Sequence, residues 1–299
     1  MTSIKRNIPS RGAYDESLCD GRLSTQLFGG NQAGVVLPDR PLSDAVMQQI
    51  AAEFKHSETA FVAVNADGSV TLRYFTPAGE VDLCGHATIA SFALLRQEGL
   101  ITDGSHIAHT KASDLNIGVS GGTVWMDMAP PKLIRKLTAE EWPELYAAYG
   151  LTVDDRPDGL EPWIVSTGLA DIMMPVRDHD TLMRAVQNEP AVTALSRRCD
   201  VTGVHMFCLG GDACTAYCSN YAPLYDIPEE CATGTSNGAL TYYLYQHGLV
   251  KAGEENTFLQ GEHMHRPSQI CSRLHDENGA VNVRVGGTDV MSMSCDIKL

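Results

Sequence analysis

The stretch that decides the fold runs from Phe75 to Leu95 and reads FTPAGEVDLCGHATIASFALL. A second, degenerate copy runs from Glu229 to Leu244 and reads EECATGTSNGALTYYL. In each copy a cysteine, Cys84 or Cys231, is followed by a turn of small residues and then by an apolar pattern with helical spacing. The repeat predicts two similar halves that direct these two turns at one site between them.

Size and charge limit the classes of protein to which the chain can belong. The chain has 299 residues, enough for two domains of ordinary size, and its 43% hydrophobic and 20% charged content is typical of a globular protein. The formal net charge is −15 and the 22 basic residues are scattered, which argues against a nucleic acid or an anionic membrane as partner.

Targeting signals and cysteine usage point to a reducing compartment. No apolar run reaches membrane-spanning length, and the first residues lack the apolar core of a secretory signal. The nine cysteines are spread along the chain without a CxxC pair, and none belongs to a set with complete zinc-ligand spacing. We therefore expect no metal, reduced and mostly buried thiols, and a cytoplasmic location.

Local patterns predict alternating strands and helices in both halves. Ser43 is the expected N-cap of a helix that reaches Phe54, and Asp67-Gly68 is a hairpin signal. Further helices are predicted at 87–97, 140–151, 180–188 and 237–248. Strands are predicted at 60–64, 70–75, 163–167, 171–176, 204–209, 213–219, 262–270 and 281–285, with part of an edge strand at 22–27. We assign residues 1–125 to the first half, to which a closing strand within 281–299 can belong, and residues 126–280 to the second.

The two cysteine turns have a chemistry in common. A cysteine just before a helix lies near the positive end of the helix dipole, which favours thiolate. The free N–H groups of the first turn can hold a substrate carboxylate, and Gly85 and Gly234 let the backbone approach it. Thr233 and Thr235 flank the second turn and are further candidates for substrate binding. Two thiols on opposite faces of one carbon can invert that carbon by accepting and donating a proton.

Other acid/base candidates compete with the thiols. Glu58 follows a predicted helix and precedes an apolar run, where a solvated or capping glutamate is the alternative. His86 can tune or shuttle protons, or be a hydrogen-bonded structural residue. Glu230 can act as an acid, or lie exposed in a loop. Asn31 and Gln32 in the early glycine loop can contact a ligand, or merely form the turn.

Six segments together resemble the phenazine-biosynthesis isomerase family, usually called PhzF-like, which has the diaminopimelate epimerase fold. The resemblance runs from about Leu27 to about Val285, and its segments are FGGNQAGVVL, SETAFV, LRYFTPAGEVDLCGHAT, STGLADIMMPV, ATGTSNGAL and GEHMHRPSQI. It implies an α+β fold of two similar halves, each a curved, mostly antiparallel sheet wrapped around a central helix, with the active site in the cleft. It also implies proton transfer without metal or organic cofactor, and it fits a homodimer.

The resemblance also implies residue roles. Glu58 in SETAF matches the PhzF-type general acid/base glutamate, and His86 matches the glycine–histidine turn. Glu230 stands where the PhzF pattern usually has aspartate, and Thr235 where it often has serine. Cys84 and Cys231 look instead like the two thiols of diaminopimelate epimerase and proline racemase.

Three functions therefore stay open, all with a small carboxylate-bearing ligand such as an amino acid. The leading hypothesis is an amino-acid racemase or epimerase that uses Cys84 and Cys231 as its acid/base pair. The second is a PhzF-like isomerase of an unsaturated or cyclic carboxylic acid, in which Glu58 moves the proton and His86 and Glu230 assist. The third is a metabolite-binding protein without catalysis.

Overall fold

The computed structural model describes residues 14–20 and 29–297, with side chains from residue 29 onward. The edge strand expected at 22–27 lies outside the described residues. Elements are numbered here in chain order.

Ten elements make up the N-terminal part of the chain. They are β1 Tyr14–Asp20, β2 Ala33–Pro38, α1 Asp44–Phe54, β3 Glu58–Val64, β4 Val70–Phe75, β5 Glu80–Val81, α2 Gly85–Gln97, β6 Gly104–His109, β7 Asp114–Ser120 and β8 Thr123–Asp127. Ser43 caps α1 as predicted, since its hydroxyl accepts a hydrogen bond from the N–H of Val46.

The remaining elements repeat the arrangement of strands around a helix. They are β9 Lys132–Lys136, α3 Trp142–Ala147, β10 Trp163–Ser166, β11 Ala170–Pro175, α4 His179–Met183, α5 Glu189–Cys199, β12 Gly203–Leu209, β13 Ala216–Ala222, β14 Ile227–Glu230, α6 Gly234–Gln246, β15 Glu255–Gln260, β16 Ser268–Glu277, β17 Ala280–Gly287 and β18 Val290–Asp296. Short 3₁₀ turns occur at Val153–Asp155 and Pro223–Tyr225.

One continuous, mostly antiparallel sheet runs through the molecule. β1 pairs with β2 and with β18, so a strand near the C-terminus joins the first strands of the chain. β8 pairs antiparallel with β17, and this pairing joins the strands around α2 to those around α6. The division of the chain at residue 125 stays a prediction.

The two central helices are buried on nearly every side. α2 packs on β1, β2, β3 and β8, whereas α6 packs on β10, β11, β16 and β17. Helices that are apolar all round belong in a protein core, and Phe92 of α2 and Tyr243 of α6 are both fully buried. Both helices contribute to one contiguous apolar core. Their N-terminal turns are therefore held firmly in place relative to the surrounding strands.

Three predicted elements differ from the observed ones. The helix expected at 140–151 covers only Trp142–Ala147. The helix expected at 180–188 corresponds to the shorter α4, and α5, which was not predicted, begins just after that range with Asn188 as its N-cap and Pro190 in its first turn. The strand expected at 262–270 begins only at Ser268, because a turn precedes it, in which His265 has a positive φ of 54°. Within residues 14–20 and 29–297, no helix is long and apolar enough to span a membrane.

A buried histidine in β12 makes stability depend on pH. His205 is completely buried, its Nδ1 lies 3.1 Å from Oδ1 of Asn220, and burial lowers its pKa to about 4. The unfolded chain therefore binds a proton between about pH 6.5 and pH 4 that the folded chain does not. We expect this difference at His205 to lower the free energy of unfolding by up to about 3 kcal/mol as pH drops from 6.5 to 4.

Denaturant unfolding at several pH values tests this effect. His205→Gln should flatten the dependence of the unfolding free energy on pH between 6.5 and 4, whereas the same change at the exposed His275 should not. A variant His205→Gln with the same pH dependence as the unmodified chain would contradict the assignment.

Candidate functional site

A cavity of about 670 Å³ lies between the N-terminal turns of α2 and α6. Residues of β7 and β8 form its wall on the α2 side, and the loop between β10 and β11 contributes on the α6 side. Because the two central helices begin at the same cavity, the repeated turns do converge on one place, as the sequence predicted.

Glu58, Cys84 and His86 form a compact cluster on the α2 side of the cavity. Glu58 begins β3, Cys84 is the N-cap of α2, and His86 lies in the first turn of that helix. Nε2 of His86 is 3.2 Å from Oε2 of Glu58, and Sγ of Cys84 is 3.5 Å from Nδ1 of the same ring. One potential ligand atom from each residue lies within 4.8 Å of the other two. All three residues line the cavity.

The protonation states in this cluster follow from burial and from its members' mutual charges. Burial raises the pKa of Glu58, but the neighbouring His86, with Ser57 and Cys84, outweighs burial and leaves it below its usual value. Burial lowers the pKa of His86, yet Cys84 and Glu58 together raise it well above its usual value. The two opposite shifts favour a carboxylate on Glu58 and a proton on His86.

Cys84 does not have the thiolate character that its place before a helix suggested. Burial raises the pKa of this thiol, and the lowering by His86 and by the backbone N–H of Ala87 does not compensate. Desolvation thus exceeds the dipole effect here, because the sulfur is almost completely enclosed.

Glu230 faces the same cavity from the end of β14. Its Oε1 accepts a hydrogen bond of 2.9 Å from Nδ2 of Asn31, and its Oε2 accepts one from Oγ1 of Thr233. Burial raises the pKa of Glu230, partly offset by His86 and Thr233. The two glutamates at the cavity therefore have pKa values shifted in opposite directions, which is typical of an acid/base assignment.

The two cysteines differ in their position relative to the central helices. The N-cap of α2 is Cys84, but the N-cap of α6 is Thr233, so Cys231 lies two residues before the equivalent position. Its thiol donates a hydrogen bond of 3.1 Å to the carbonyl of Gly30, and Cys231 is not among the residues that line the cavity. Burial raises its pKa to about 11. The catalytic role of the two thiols stays a prediction.

The N-terminal turns of both central helices can bind an anion. The N-cap residue of α6, Thr233, makes no side-chain capping hydrogen bond, and at α2 only the N–H of Ala87 interacts with the thiol of the N-cap residue Cys84. Gly85, Gly234 and Thr235 line the cavity at these turns, as predicted. Free N–H groups at a helix N-terminus form a ready site for a carboxylate.

The glycine loop that contains Asn31 and Gln32 contacts side chains of the site from outside the cavity. Besides Glu230, Asn31 contacts His86, with its Nδ2 3.4 Å from Nδ1 of the ring. Asn31 and Gln32 do not line the cavity; the carbonyl of Gln32 accepts a hydrogen bond from Ser57 instead. Asn31 thus orients two side chains of the site, and contact of Asn31 or Gln32 with a ligand stays a prediction.

Two residues of the site, Gln260 and Asp171, were not predicted from the sequence. Gln260 donates to the carbonyl of Glu230 at 2.7 Å and accepts from Nδ2 of Asn237 at 2.8 Å, which fixes the loop before α6. Asp171 lines the cavity, is almost fully buried, and accepts a hydrogen bond of 2.6 Å from Ser236. Its signal in the sequence is a single charge at the start of a buried apolar strand, GLADIMM.

Gly261 adds a local constraint to the same loop. Its φ is +86°, and a Cβ there would lie 2.4 Å from the carbonyl oxygen of Arg266 and 2.9 Å from Cβ of Cys231. Only glycine fits this close approach without displacing the segment that carries Glu230.

Comparison with known proteins agrees with this architecture. The family described as phenazine biosynthesis-like protein, PhzC-PhzF, matches residues 23–295. The chain belongs to this family. A Deinococcus radiodurans protein named as an isomerase is 34% identical over 268 residues, 86% of each chain. The trans-2,3-dihydro-3-hydroxyanthranilate isomerase of Pseudomonas chlororaphis is 26% identical over 272 residues, covering 87% of this chain and 91% of that one.

Solved structures confirm the fold class. The PhzF-family phenazine biosynthesis protein of Bacillus anthracis superposes with a TM-score of 0.85 at 25% identity, over 97% of this chain and 100% of that one. A hydroxyproline epimerase from Agrobacterium vitis has a TM-score of 0.59 at 14% identity, over 96% and 92% of the two chains, and shows the shared fold alone. The predicted epimerase-like fold of two halves is confirmed, and this PhzF-like chain is an enzyme of the isomerase class.

Proposed function

We propose that this PhzF-like enzyme isomerises a small amino-carboxylic acid, unsaturated or cyclic, by moving a proton between carbon atoms with Glu58 as the acid/base group. The observation that carries the proposal is the Glu58–His86 pair at the cavity wall, with its 3.2 Å separation. A carboxylate held ionised by a neighbouring cation and open to a substrate cavity is suited to accept a proton from carbon.

The site also provides for the charge that develops when a carbon next to a carboxylate, or conjugated with it, loses its proton. Negative charge then spreads onto the substrate carboxylate. The first-turn N–H groups of α2 and α6, at Gly85 and Gly234, would face that carboxylate and stabilise the charge without rearrangement. Glu230, whose pKa is raised by burial, is placed to return a proton at a second carbon.

The charges lining the cavity favour a substrate that carries an amino group as well. Among the described residues that line it are five carboxylates but no lysine or arginine, namely Glu58, Asp114, Asp127, Asp171 and Glu230. A zwitterion can direct its carboxylate at the first turns of α2 and α6 and its ammonium group at these carboxylates. The relative from Pseudomonas chlororaphis is named for a substrate that is an aminocarboxylic acid.

The two alternatives from the sequence receive less support. A two-thiol racemase needs the thiol of Cys231 at the substrate. That thiol instead donates a hydrogen bond to the carbonyl of Gly30, and Cys231 does not line the cavity. A binding protein without catalysis fits poorly with relatives that are named isomerases over most of their length.

Incubation in D₂O followed by proton NMR tests the proposal. The panel holds cyclic and unsaturated amino-carboxylic acids, including trans-2,3-dihydro-3-hydroxyanthranilate, ordinary L- and D-amino acids, and matched acids that lack the amino group. We expect loss of a carbon-bound proton signal and appearance of an isomer only in the first class. Exchange confined to ordinary amino acids, with formation of the opposite enantiomer, would instead support racemisation.

A further inference from the structure

A histidine and an asparagine face each other in two central strands of the sheet around α6. His205 of β12 and Asn220 of β13 are directly opposite in the antiparallel ladder, and both are almost completely buried. Nδ1 of His205 lies 3.1 Å from Oδ1 of Asn220. Buried polar side chains destabilise a fold unless their hydrogen-bonding groups find partners. This contact provides a partner for only one end of the asparagine amide.

The side chain of Asn220 points into the cavity, unlike the side chains of its two neighbours in β13. Ser219 and Tyr221 face the opposite side of the sheet, where both contact His263, as the alternation of side chains along a strand requires. Asn220 itself lines the cavity. Its Nδ2 has no hydrogen-bond partner among the described residues. The amide N–H group is therefore available to a ligand.

Other unsatisfied polar atoms on this side of the cavity are enclosed by protein. Oδ1 of Asp171 and Oδ1 of Asn237 also lack a hydrogen-bond partner among the described residues, but neither has accessible surface. Nδ2 of Asn220 does not belong to this enclosed group. A ligand in the cavity can therefore reach the amide of Asn220.

Asn220 also lies beside Glu230, the group assigned to return a proton to the substrate. The two residues are directly opposite in the pairing of β13 with β14, and both line the cavity. The Cβ atoms of such a pair are about 4.5–5.5 Å apart. The carboxylate of Glu230 is held by Asn31 and Thr233, so the amide of Asn220 is not used to orient it. A substrate atom bound by Asn220 would lie close to the carbon that receives a proton from Glu230.

A hydroxyl group is the substituent that fits this place best. Its oxygen can accept the N–H bond of Asn220, and its own proton can be donated to an acceptor of the cavity wall. An ammonium group has no lone pair with which to accept that bond. We propose that Asn220 binds a hydroxyl group of the substrate and makes the enzyme selective for hydroxylated amino-carboxylic acids. This inference rests on the proposed function, because it takes the cavity as the substrate site.

Pairs of ligands test this selectivity by binding alone. Each pair is an amino-carboxylic acid with and without one hydroxyl group: 3-hydroxyanthranilate and anthranilate, 4-hydroxyproline and proline, serine and alanine. Isothermal titration calorimetry gives the ratio of affinities within each pair. We expect the hydroxylated member of at least one pair to bind about 3–10-fold more tightly, the usual contribution of one hydrogen bond, and the ratio to fall to about one in Asn220→Ala. Asn116→Ala changes another asparagine of the cavity lining, on β7, and should keep the ratio.

Three binding results would overturn the role of Asn220. They are a panel in which no hydroxylated acid binds more tightly than its partner, a preference that persists in Asn220→Ala, and a preference lost equally in Asn116→Ala. Circular dichroism confirms that each variant is folded.

A crystal structure of the unmodified protein with the preferred ligand gives a test that needs no variant. We expect the hydroxyl oxygen within about 3.2 Å of Nδ2 of Asn220, and a hydroxyl group bound elsewhere would also overturn the inference. Neither measurement involves proton exchange at carbon. Absence of exchange would therefore contradict the role proposed for Glu58 and leave the binding result for Asn220 decisive.

Discussion

Replacing Glu58 by glutamine should lower the rate of carbon-proton exchange by about 10²–10⁴-fold, the usual contribution of a general acid/base group. Glutamine keeps the size of the side chain but cannot accept the substrate proton. It also leaves His86, 3.2 Å away, without the carboxylate that stabilises its charge. The exchange rate is measured by NMR in D₂O with the substrate identified from the panel.

A matched control uses a glutamate in the same part of the chain. Glu53 is exposed on α1, away from the cavity lining, so Glu53→Gln should exchange at the rate of the unmodified enzyme. If Glu58→Gln kept full activity while folded normally, Glu58 could not be the group that moves the proton.

A change of Glu230 to glutamine should have the second largest effect, a loss of about 10²-fold in exchange rate. Both carboxylate oxygens accept hydrogen bonds, from Asn31 and from Thr233. An amide can still accept a hydrogen bond from Asn31 and can donate one to the hydroxyl of Thr233, but it has no acidic proton to return to carbon. The variant should therefore fold normally and lose activity.

The adjacent glutamate provides the comparison for this change. The carboxylate of Glu229 lies 3.4 Å from Nδ1 of His263 and is not part of the cavity lining. Glu229→Gln should therefore leave the exchange rate close to that of the unmodified enzyme. Equal losses in the two variants would mean that the strand matters only as a support, and not through the Glu230 carboxylate.

Elements with local signals were predictable from the sequence. The Ser43 cap, the strand Val70–Phe75 and the two central helices are determined by capping residues, turn residues and apolar spacing, and all are present. The helix α5 was missed because Asn188, its N-cap, is the last residue of the helix predicted at 180–188.

The site was predictable only where its residues carry a motif. Glu58, His86 and Glu230 were named from the sequence and lie around one cavity. The position of Cys231 was not predictable, because α6 begins only at Gly234 and the loop before it is held by Gln260 and Gly261. Its catalytic role stays a prediction.

The place of Asp171 in the cavity could not be predicted from the sequence. Its place in the cavity depends on the packing of β11 against α6, which brings it within hydrogen-bond distance of Ser236, 65 residues later in the chain. Such a contact has no local pattern, and only the folded chain brings the two residues together.

Glu58 beside His86 is expected to move the proton, and a pair of thiols is not. Substrate proton exchange in D₂O, measured side by side for Glu58→Gln and Cys231→Ser, distinguishes the two mechanisms. We expect near-complete loss of exchange in Glu58→Gln and a rate close to that of the unmodified enzyme in Cys231→Ser. Loss of exchange in Cys231→Ser, with Glu58→Gln still active, would exclude Glu58 as the acid/base group and support the two-thiol mechanism.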